Sequence, residues 1–260
     1  MEFSNMNVVV TGAVGAIGKG VARDFCRKGA QVFITDLKAD GVAGAVAELK
    51  ADGVCFGAAA DVTNEEQVAA CIAEAKKAFG SDRIDILVNV AGIVGQGLVE
   101  DLTVEQWDKM FAVNCRGTFL FCKYCVPSMK KHKYGKIVNY SSKSGKTGSA
   151  LMSHYSAAKA AIMGFSQALA FELADYRINV NCVCPGITDN TGVWSHVSAG
   201  YIENMKLPRE EVIAKFTAKI PLKRLTSIDD VVAITSFLCG KGSDYMTGQS
   251  INITGGREMH

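Results

Sequence analysis

The stretch NVVVTGAVGAIGKGVARDFCRKGAQVFITD, residues 7–36, decides how this chain folds. Its first five residues are mostly β-branched and read as a strand. Gly12, Gly15 and Gly18 then mark a turn and the entry to an amphipathic segment, and a second β-branched run from Gln31 ends at Asp36. Strand, glycine turn, helix and strand make the repeating unit of a parallel sheet with crossover helices. The glycines permit a tight turn and close backbone approach, and the helix start offers unpaired N–H groups to a pyrophosphate. Such a glycine pattern alone is weak evidence, but here the flanking elements and an acidic residue 18 positions beyond Gly18 complete it.

Asp36, at the end of the second strand, is placed to accept hydrogen bonds from the 2′ and 3′ hydroxyls of an adenosine ribose and to repel the 2′-phosphate of NADP. That favours NAD as cofactor. Neither arginine nor lysine occupies the turn, where Ala13 and Val14 stand, although Lys38 follows two residues after Asp36. Gly12, Gly15, Ala16, Ile17, Gly18, Asp36 and Leu37 are the cofactor contacts expected from this unit.

The same alternation runs outward to the end of the chain. Strands are expected at 7–11, 31–36, 54–60, 84–90, 135–141, 178–184 and 250–254, with helical-period segments between them. The strands are apolar on both faces, so helices should cover both. The expectation is an α/β fold: one Rossmann-type, doubly wound, parallel seven-stranded sheet. With only four prolines and no linker, residues 1–260 read as a single domain that binds dinucleotide and carries out catalysis. The rhythm breaks at about 187–219, which reads as irregular chain plus a helix and is expected to form a lid over the substrate. The pattern WDKMFAVNCRGTFLFCKYCVPSM reads as one long helix, and KSGKTG as a glycine-rich loop.

Composition narrows the function classes. Hydrophobic residues make up 48% and charged residues 21% of the 260, which argues against disorder. The net charge of +2 is scattered rather than gathered, so neither nucleic acid nor a membrane surface is expected as partner. No apolar run is long enough to span a bilayer and the N-terminus lacks signal-peptide character, which points to the cytoplasm. Nine irregularly spaced cysteines do not suggest a disulfide framework, and the Cys122/Cys125 pair reads as buried thiols rather than a metal or redox motif. No metal site is expected.

In HYSAAKAAIMGFSQALAFELA the apolar spacing is helical, which sets Tyr155 and Lys159 one turn apart on one face. A phenol ionises near ~10 and must become more acidic to exchange a proton with an alcohol, as a neighbouring ammonium would make it. That spacing is common by chance. It is joined here by the TGAVGAIG loop, Asp61 in DV, NVAG at Asn89 to Gly92, Asn114 in VNCRG, Ser142, and Pro185 and Gly186 in CPG. In order and spacing, across essentially the whole chain, these motifs resemble the short-chain dehydrogenase/reductase family.

The resemblance implies that Tyr155 is the general acid/base, that Lys159 lowers its pKa and holds the nicotinamide ribose, and that Ser142 binds the substrate oxygen. Asn114 would support a relay water beside Lys159. Asp61 and Val62 would meet the adenine, Asn89, Ala91 and Gly92 the ribose side, and Thr188, after Pro185 and Gly186, the carboxamide. Two departures stand out: Ala16 replaces a loop glycine, and Val90 replaces the second asparagine of the usual NNAG. Neither is expected to abolish activity.

The block SKSGKTGS followed by YSAAK, the ending DYMTGQSINITGG and IPLKR resemble the branch of that family holding sorbitol-6-phosphate and related polyol dehydrogenases. The implied activity is NAD-linked, reversible oxidation of a secondary alcohol on an acyclic polyol or its phosphate. Lys143 or Lys146 would contact the phosphate, and His154, Asn190 and Trp194 the hydroxyls. A homotetramer is also implied, packed through helices near 104–128 and 154–174. Alternatives are a 3-oxoacyl or steroid-type carbonyl reductase, a dehydrogenase of another small anionic diol such as a sulfonated one, and a non-catalytic NAD-binding protein.

Overall fold

The computed structural model describes residues 1–192, 194, 202 and 206–259. Its seven strands are β1 (Asn7–Thr11), β2 (Gln31–Asp36), β3 (Val54–Ala59), β4 (Ile86–Asn89), β5 (Gly135–Tyr140), β6 (Ile178–Pro185) and β7 (Ser250–Ile253). They form one parallel sheet in the order β3-β2-β1-β4-β5-β6-β7. The helices are α1 (Ala16–Arg27), α2 (Ala39–Leu49), α3 (Glu65–Phe79), α4 (Val104–Phe111), α5 (Gly117–His132), α6 (Lys143–Thr147), α7 (Ser153–Leu173), α8 (Arg209–Ala218) and α9 (Ile228–Cys239).

Strand alternation builds two cores from one sheet. Val8, Val10, Val32 and Ile34 face one side, where α1, α2 and α9 supply Phe25, Leu49 and Leu238. Val9, Phe33, Leu87 and Ile137 face the other, against Phe79 of α3, Phe121 and Met129 of α5 and Leu173 of α7. Each large apolar side chain so buried is worth about 1.5–3 kcal/mol. Strand order reverses between β1 and β4, and the crevice beyond the carboxyl ends of these strands is where an open α/β sheet receives ligands.

Two local features differ from the sequence expectation. The long helix over 104–128 is interrupted: between α4 and α5 the chain takes one π-helical turn, Ala112–Arg116, which carries Asn114. A π turn inserts a residue without ending the helix, so hydrophobic periodicity passes over it. Lys143 to Thr147, read as loop, form the one-turn helix α6, whose start is capped by Ser142 Oγ accepting from Ser144 N at 3.1 Å. Of the expected lid, residues 193, 195–201 and 203–205 lie outside the described residues, while Trp194 and α8 lie within them.

A buried polar chain crosses the centre of the sheet. Asn89 Nδ2 donates to Asn139 Oδ1 at 2.9 Å, Asn139 Nδ2 to Ser166 Oγ at 2.8 Å, and Ser166 Oγ to the Ile162 carbonyl at 2.8 Å. These bonds tie β4, β5 and α7 together, and α7 carries the tyrosine and lysine of interest. Asn139→Ala removes the middle link, taking an acceptor from the buried Asn89 Nδ2 and a donor from the buried Ser166 Oγ. Urea unfolding should show a loss of about 2–3 kcal/mol, and a change below about 0.5 kcal/mol, as for an ordinary surface substitution, would contradict this role.

Candidate active site

A cleft of about 710 Å³ runs over the carboxyl ends of the strands. At one end it is lined by Gly12, Gly15, Ala16, Ile17, Gly18, Asp36, Leu37, Asp61 and Val62, and in the middle by Ala91, Gly92, Asn114, Ser142, Tyr155, Lys159, Pro185, Gly186 and Thr188. The structure thus brings together nearly all of the cofactor and catalytic positions expected from sequence.

The adenosine end fits a dinucleotide. A Cβ on Gly18 would lie 2.3 Å from the Gly12 carbonyl oxygen, whereas one on Gly15 would meet nothing closer than 3.4 Å, so Gly15 presents bare backbone at the start of α1. No side chain caps α1 and no acidic residue stands in its first turn, which leaves its N–H groups and positive dipole end for an anion. Asp36 is fixed from two sides: Val14 N donates to Oδ2 at 3.0 Å and Leu37 N to Oδ1 at 2.8 Å. Each oxygen keeps a lone pair for a ribose hydroxyl.

In the middle of the cleft, α7 delivers Tyr155 and Lys159, Ser142 follows the end of β5 as the N-cap of α6, and the π turn delivers Asn114. The Ser142 hydroxyl hydrogen-bonds Tyr155. Lys159 Nζ donates to the Tyr140 carbonyl at 2.8 Å and stands 5.7 Å from the Tyr155 ring centroid. Asn114 Nδ2 donates to the Met110 and Ile93 carbonyls at 3.0 and 3.1 Å, while its Oδ1 is buried with no partner. A Cβ on Gly92 would lie 2.6 Å from Asn114 Oδ1 and 3.3 Å from Lys159 Nζ, so only glycine fits against this pair.

Burial dominates the electrostatics of the pair. Burial raises the Tyr155 pKa above its ordinary value of 10.0, with the Ser142 hydrogen bond pulling the other way and Lys159 not among the causes. Burial also pushes Lys159 down to about 8, from 10.5. Loss of water disfavours both charged forms, and the ammonium is directed at a carbonyl rather than at the phenol.

Four expected contacts lie elsewhere. Asn89 turns its side chain into the core, toward Asn139 and the Cys122 sulfur, because successive residues of a strand alternate faces; Val90 lines the cleft instead. Lys146 Nζ reaches the Ser250 carbonyl at 2.7 Å and lines a separate hollow beside β7. β7 is an edge strand, and a carbonyl there needs a donor from outside the sheet. His154 is buried against Gly95, where a Cβ would lie 2.8 Å from its Nε2, and burial lowers its pKa. Asn190 is exposed in a left-handed conformation, φ 56°, and does not line the cleft.

Lys143 and Trp194 do line it, together with residues that the sequence did not single out: Lys109, Ser144, Ser149, Met152, Thr191 and Phe216. Trp194 is buried edge-on to Phe216, with ring centroids 5.9 Å apart and its indole Nε1 without a partner. Among the described residues no cluster of His, Cys, Asp or Glu could hold a metal, and no helix is long and apolar enough to cross a membrane.

Residues 12–258 match the family model described as enoyl-(acyl carrier protein) reductase. An "uncharacterized oxidoreductase" of Thermotoga maritima is 38% identical, with 98% of each chain aligned. A sorbitol dehydrogenase of Cereibacter sphaeroides is 32% identical over the full length of both. Among solved structures, NAD+-bound xylitol dehydrogenase superposes with a TM-score of 0.94 at 27% identity, covering 98% of this chain and 100% of that one. An actinorhodin polyketide ketoreductase with NADPH superposes with a TM-score of 0.94 at 32% identity over 100% of both.

The depressed Lys159 pKa has a measurable consequence. Between about 8 and 10.5 the unfolded chain binds a proton at this residue that the folded protein does not, so its contribution to stability rises with pH across that window. The difference in urea-unfolding free energy between wild type and Lys159→Met, both cofactor-free, should therefore shift in favour of wild type between about pH 8 and pH 10. A flat or opposite trend would show that the lysine is not desolvated.

Proposed function

The chain belongs to the short-chain dehydrogenase/reductase family, and from that premise we propose that it is an NAD-dependent dehydrogenase, oxidising a secondary alcohol of a small acyclic polyol or polyol derivative to the ketone, reversibly. The observation that carries this is the convergence of Ser142, Tyr155, Lys159 and Asn114 on one cleft, between a cradle suited to a dinucleotide and an end open to substrate.

In the oxidative direction Tyr155 removes the hydroxyl proton and Ser142 holds the same oxygen; in reverse Tyr155 returns the proton to the carbonyl. When bound, the nicotinamide would supply the hydride acceptor. Lys159, already at the Tyr140 carbonyl, has further N–H donors for the ribose hydroxyls. The unpartnered Oδ1 of Asn114 is suited to a water linking Lys159 onward, so a proton taken by Tyr155 can leave the buried site. Asp36, Asp61 and Val62 would hold the adenosine, Ala91 and Gly92 the ribose side, and Thr188 with Pro185 and Gly186 the carboxamide. Trp194 Nε1 is a donor for a substrate hydroxyl.

The preference for NAD rests on Asp36, whose carboxylate lines the cleft and would face a 2′-phosphate. The polyol reading is supported by the sorbitol and xylitol dehydrogenase relatives. A carbonyl reductase for acyl substrates is the second reading, favoured by the apolar Met152, Trp194 and Phe216 wall and by the NADPH-bound ketoreductase likeness. We propose a homotetramer, consistent with the exposed Phe119 on α5 and Phe171 on α7. Nine unpaired cysteines suit a reducing compartment, and the cytoplasm is our proposed location.

Tyr155→Phe should lower kcat/KM for any accepted alcohol by about 10²–10⁴-fold, the range of general acid–base catalysis, while NADH affinity from fluorescence titration stays within about threefold. Unchanged turnover would remove Tyr155 from the mechanism, and NADH binding without turnover on any polyol or ketone would favour a non-catalytic protein. For the cofactor, Asp36→Ser should reduce the NAD-over-NADP ratio of kcat/KM by at least about tenfold, some 1.4 kcal/mol. Wild type preferring NADP would overturn the assignment.

A further inference from the structure

The ionisable residues lining the cleft divide by sign. Asp36 and Asp61 stand at the adenosine end, whereas Lys143, next to Ser142, lines the cleft beyond the catalytic positions. Lys143 Nζ donates to Ser149 Oγ at 3.0 Å, and Ser149 Oγ lies 2.9 Å from Ser144 Oγ. One ammonium and two hydroxyls therefore face the same part of the cleft.

Behind them lies the C-terminal segment. Glu258 Oε1 is 3.8 Å from Lys143 Nζ and 3.4 Å from Arg257 Nε, so one carboxylate oxygen is divided between two cations and tightly bonded to neither. The Glu258 side chain is 7% exposed. Its second oxygen, Oε2, and Arg257 Nη1 are both buried without partners. The segment itself is anchored, since Asn252 Nδ2 and Thr254 Oγ1 donate to the Glu258 carbonyl at 3.2 and 3.1 Å. Arg257 packs over the Phe216 ring, 5.7 Å from its centroid, and that ring is part of the cleft wall.

Two adjacent residues thus leave a buried donor and a buried acceptor unused. Rotation of the Glu258 carboxylate onto the end of the Arg257 guanidinium would pair both at once, in the two-point geometry that these groups favour. The same rotation would uncover Lys143. Burial and then Arg257 lower the Lys143 pKa while Glu258 raises it, and an arriving anion would act in the same sense as that carboxylate.

We propose that the substrate carries a tetrahedral oxyanion group, of the phosphate or sulfonate class, bound by Lys143 with the Ser144 and Ser149 hydroxyls, and that Glu258, which lines the hollow on the other side of Lys143, balances its charge until the anion displaces it onto Arg257. This deepens the dehydrogenase reading and rests on it. Three donors on two segments suit an oxyanion with several equivalent oxygens, and the Lys143 ammonium suits its charge. Lys146, held at β7, takes no part.

The test is calorimetric titration of inorganic phosphate into the NADH-saturated protein, in which the pyrophosphate cradle is already filled. Wild type should bind it, Lys143→Met should weaken that binding at least about tenfold, and Glu258→Gln should tighten it about threefold or more, because the competing carboxylate charge is gone. NADH titration of each variant shows that it retains its fold. Equal phosphate affinity in wild type and Lys143→Met, or no phosphate binding by Glu258→Gln, would overturn the proposal. Binding needs no turnover, so this failure is separable from that of the dehydrogenase reading. Tyr155-dependent oxidation of free polyols with kcat/KM equal to or above that of their phosphate and sulfonate derivatives keeps the reaction and overturns the anion site.

Discussion

A Cβ on Gly12 would stand 2.7 Å from the backbone of Ala91, and the cleft depends on that missing side chain. Gly12 has φ 64°, a conformation that favours glycine, and it brings the turn after β1 onto the chain leaving β4. Thr11 Oγ1 secures the approach by accepting from Ala91 N at 3.1 Å. Because β1 and β4 flank the point where strand order reverses, this contact sets the width of the crevice between the two halves of the sheet. The open start of α1, the Asp36 carboxylate at the end of β2 and Gly92 at the catalytic lysine are all positioned from it.

Desolvation governs the catalytic centre. Tyr155 and Lys159 lie on α7 beneath the cleft, where removal from water favours the neutral form of each. The protein supplies polarity around the pair rather than a strong charge: the Ser142 hydroxyl on the phenol, the Tyr140 carbonyl on the ammonium and the open Oδ1 of Asn114 beyond. Such a centre is poised to respond to what binds next to it, which suits a reversible proton transfer coupled to hydride transfer.

The fold was legible because a parallel sheet buries both faces of its strands. Val8 and Val10 serve one core while Val9 serves the other, so continuous apolar runs announce the strands, and turns with glycine or acidic residues close them. The cofactor half of the cleft was legible for a related reason: backbone makes most of it, and backbone geometry is encoded locally by glycines. What escaped the sequence was side-chain direction. Asn89 falls within a motif of the expected kind, yet strand alternation turns it inward to Asn139. The π turn that aims Asn114 leaves hydrophobic periodicity unbroken, so only the backbone reveals it.

Lys143 and Lys146 show why the substrate end is harder to read than the cofactor end. They are three residues apart on one short helix and are chemically identical, yet one faces the cleft and the other satisfies an edge-strand carbonyl. The choice between them is made by Ser149 and Glu258 on one side and by the unpaired edge of β7 on the other, partners between 6 and 115 residues away in sequence. The cleft likewise draws Lys109 from α4 and Trp194 and Phe216 from the segment after β6, and Lys143 meets Glu258 from a segment 115 residues on. Each of these is unremarkable where it stands in the sequence. A dinucleotide is recognised largely through a backbone turn that one motif can specify. A small substrate is recognised through side chains contributed by distant segments, and their meaning appears only when the sheet has placed them together.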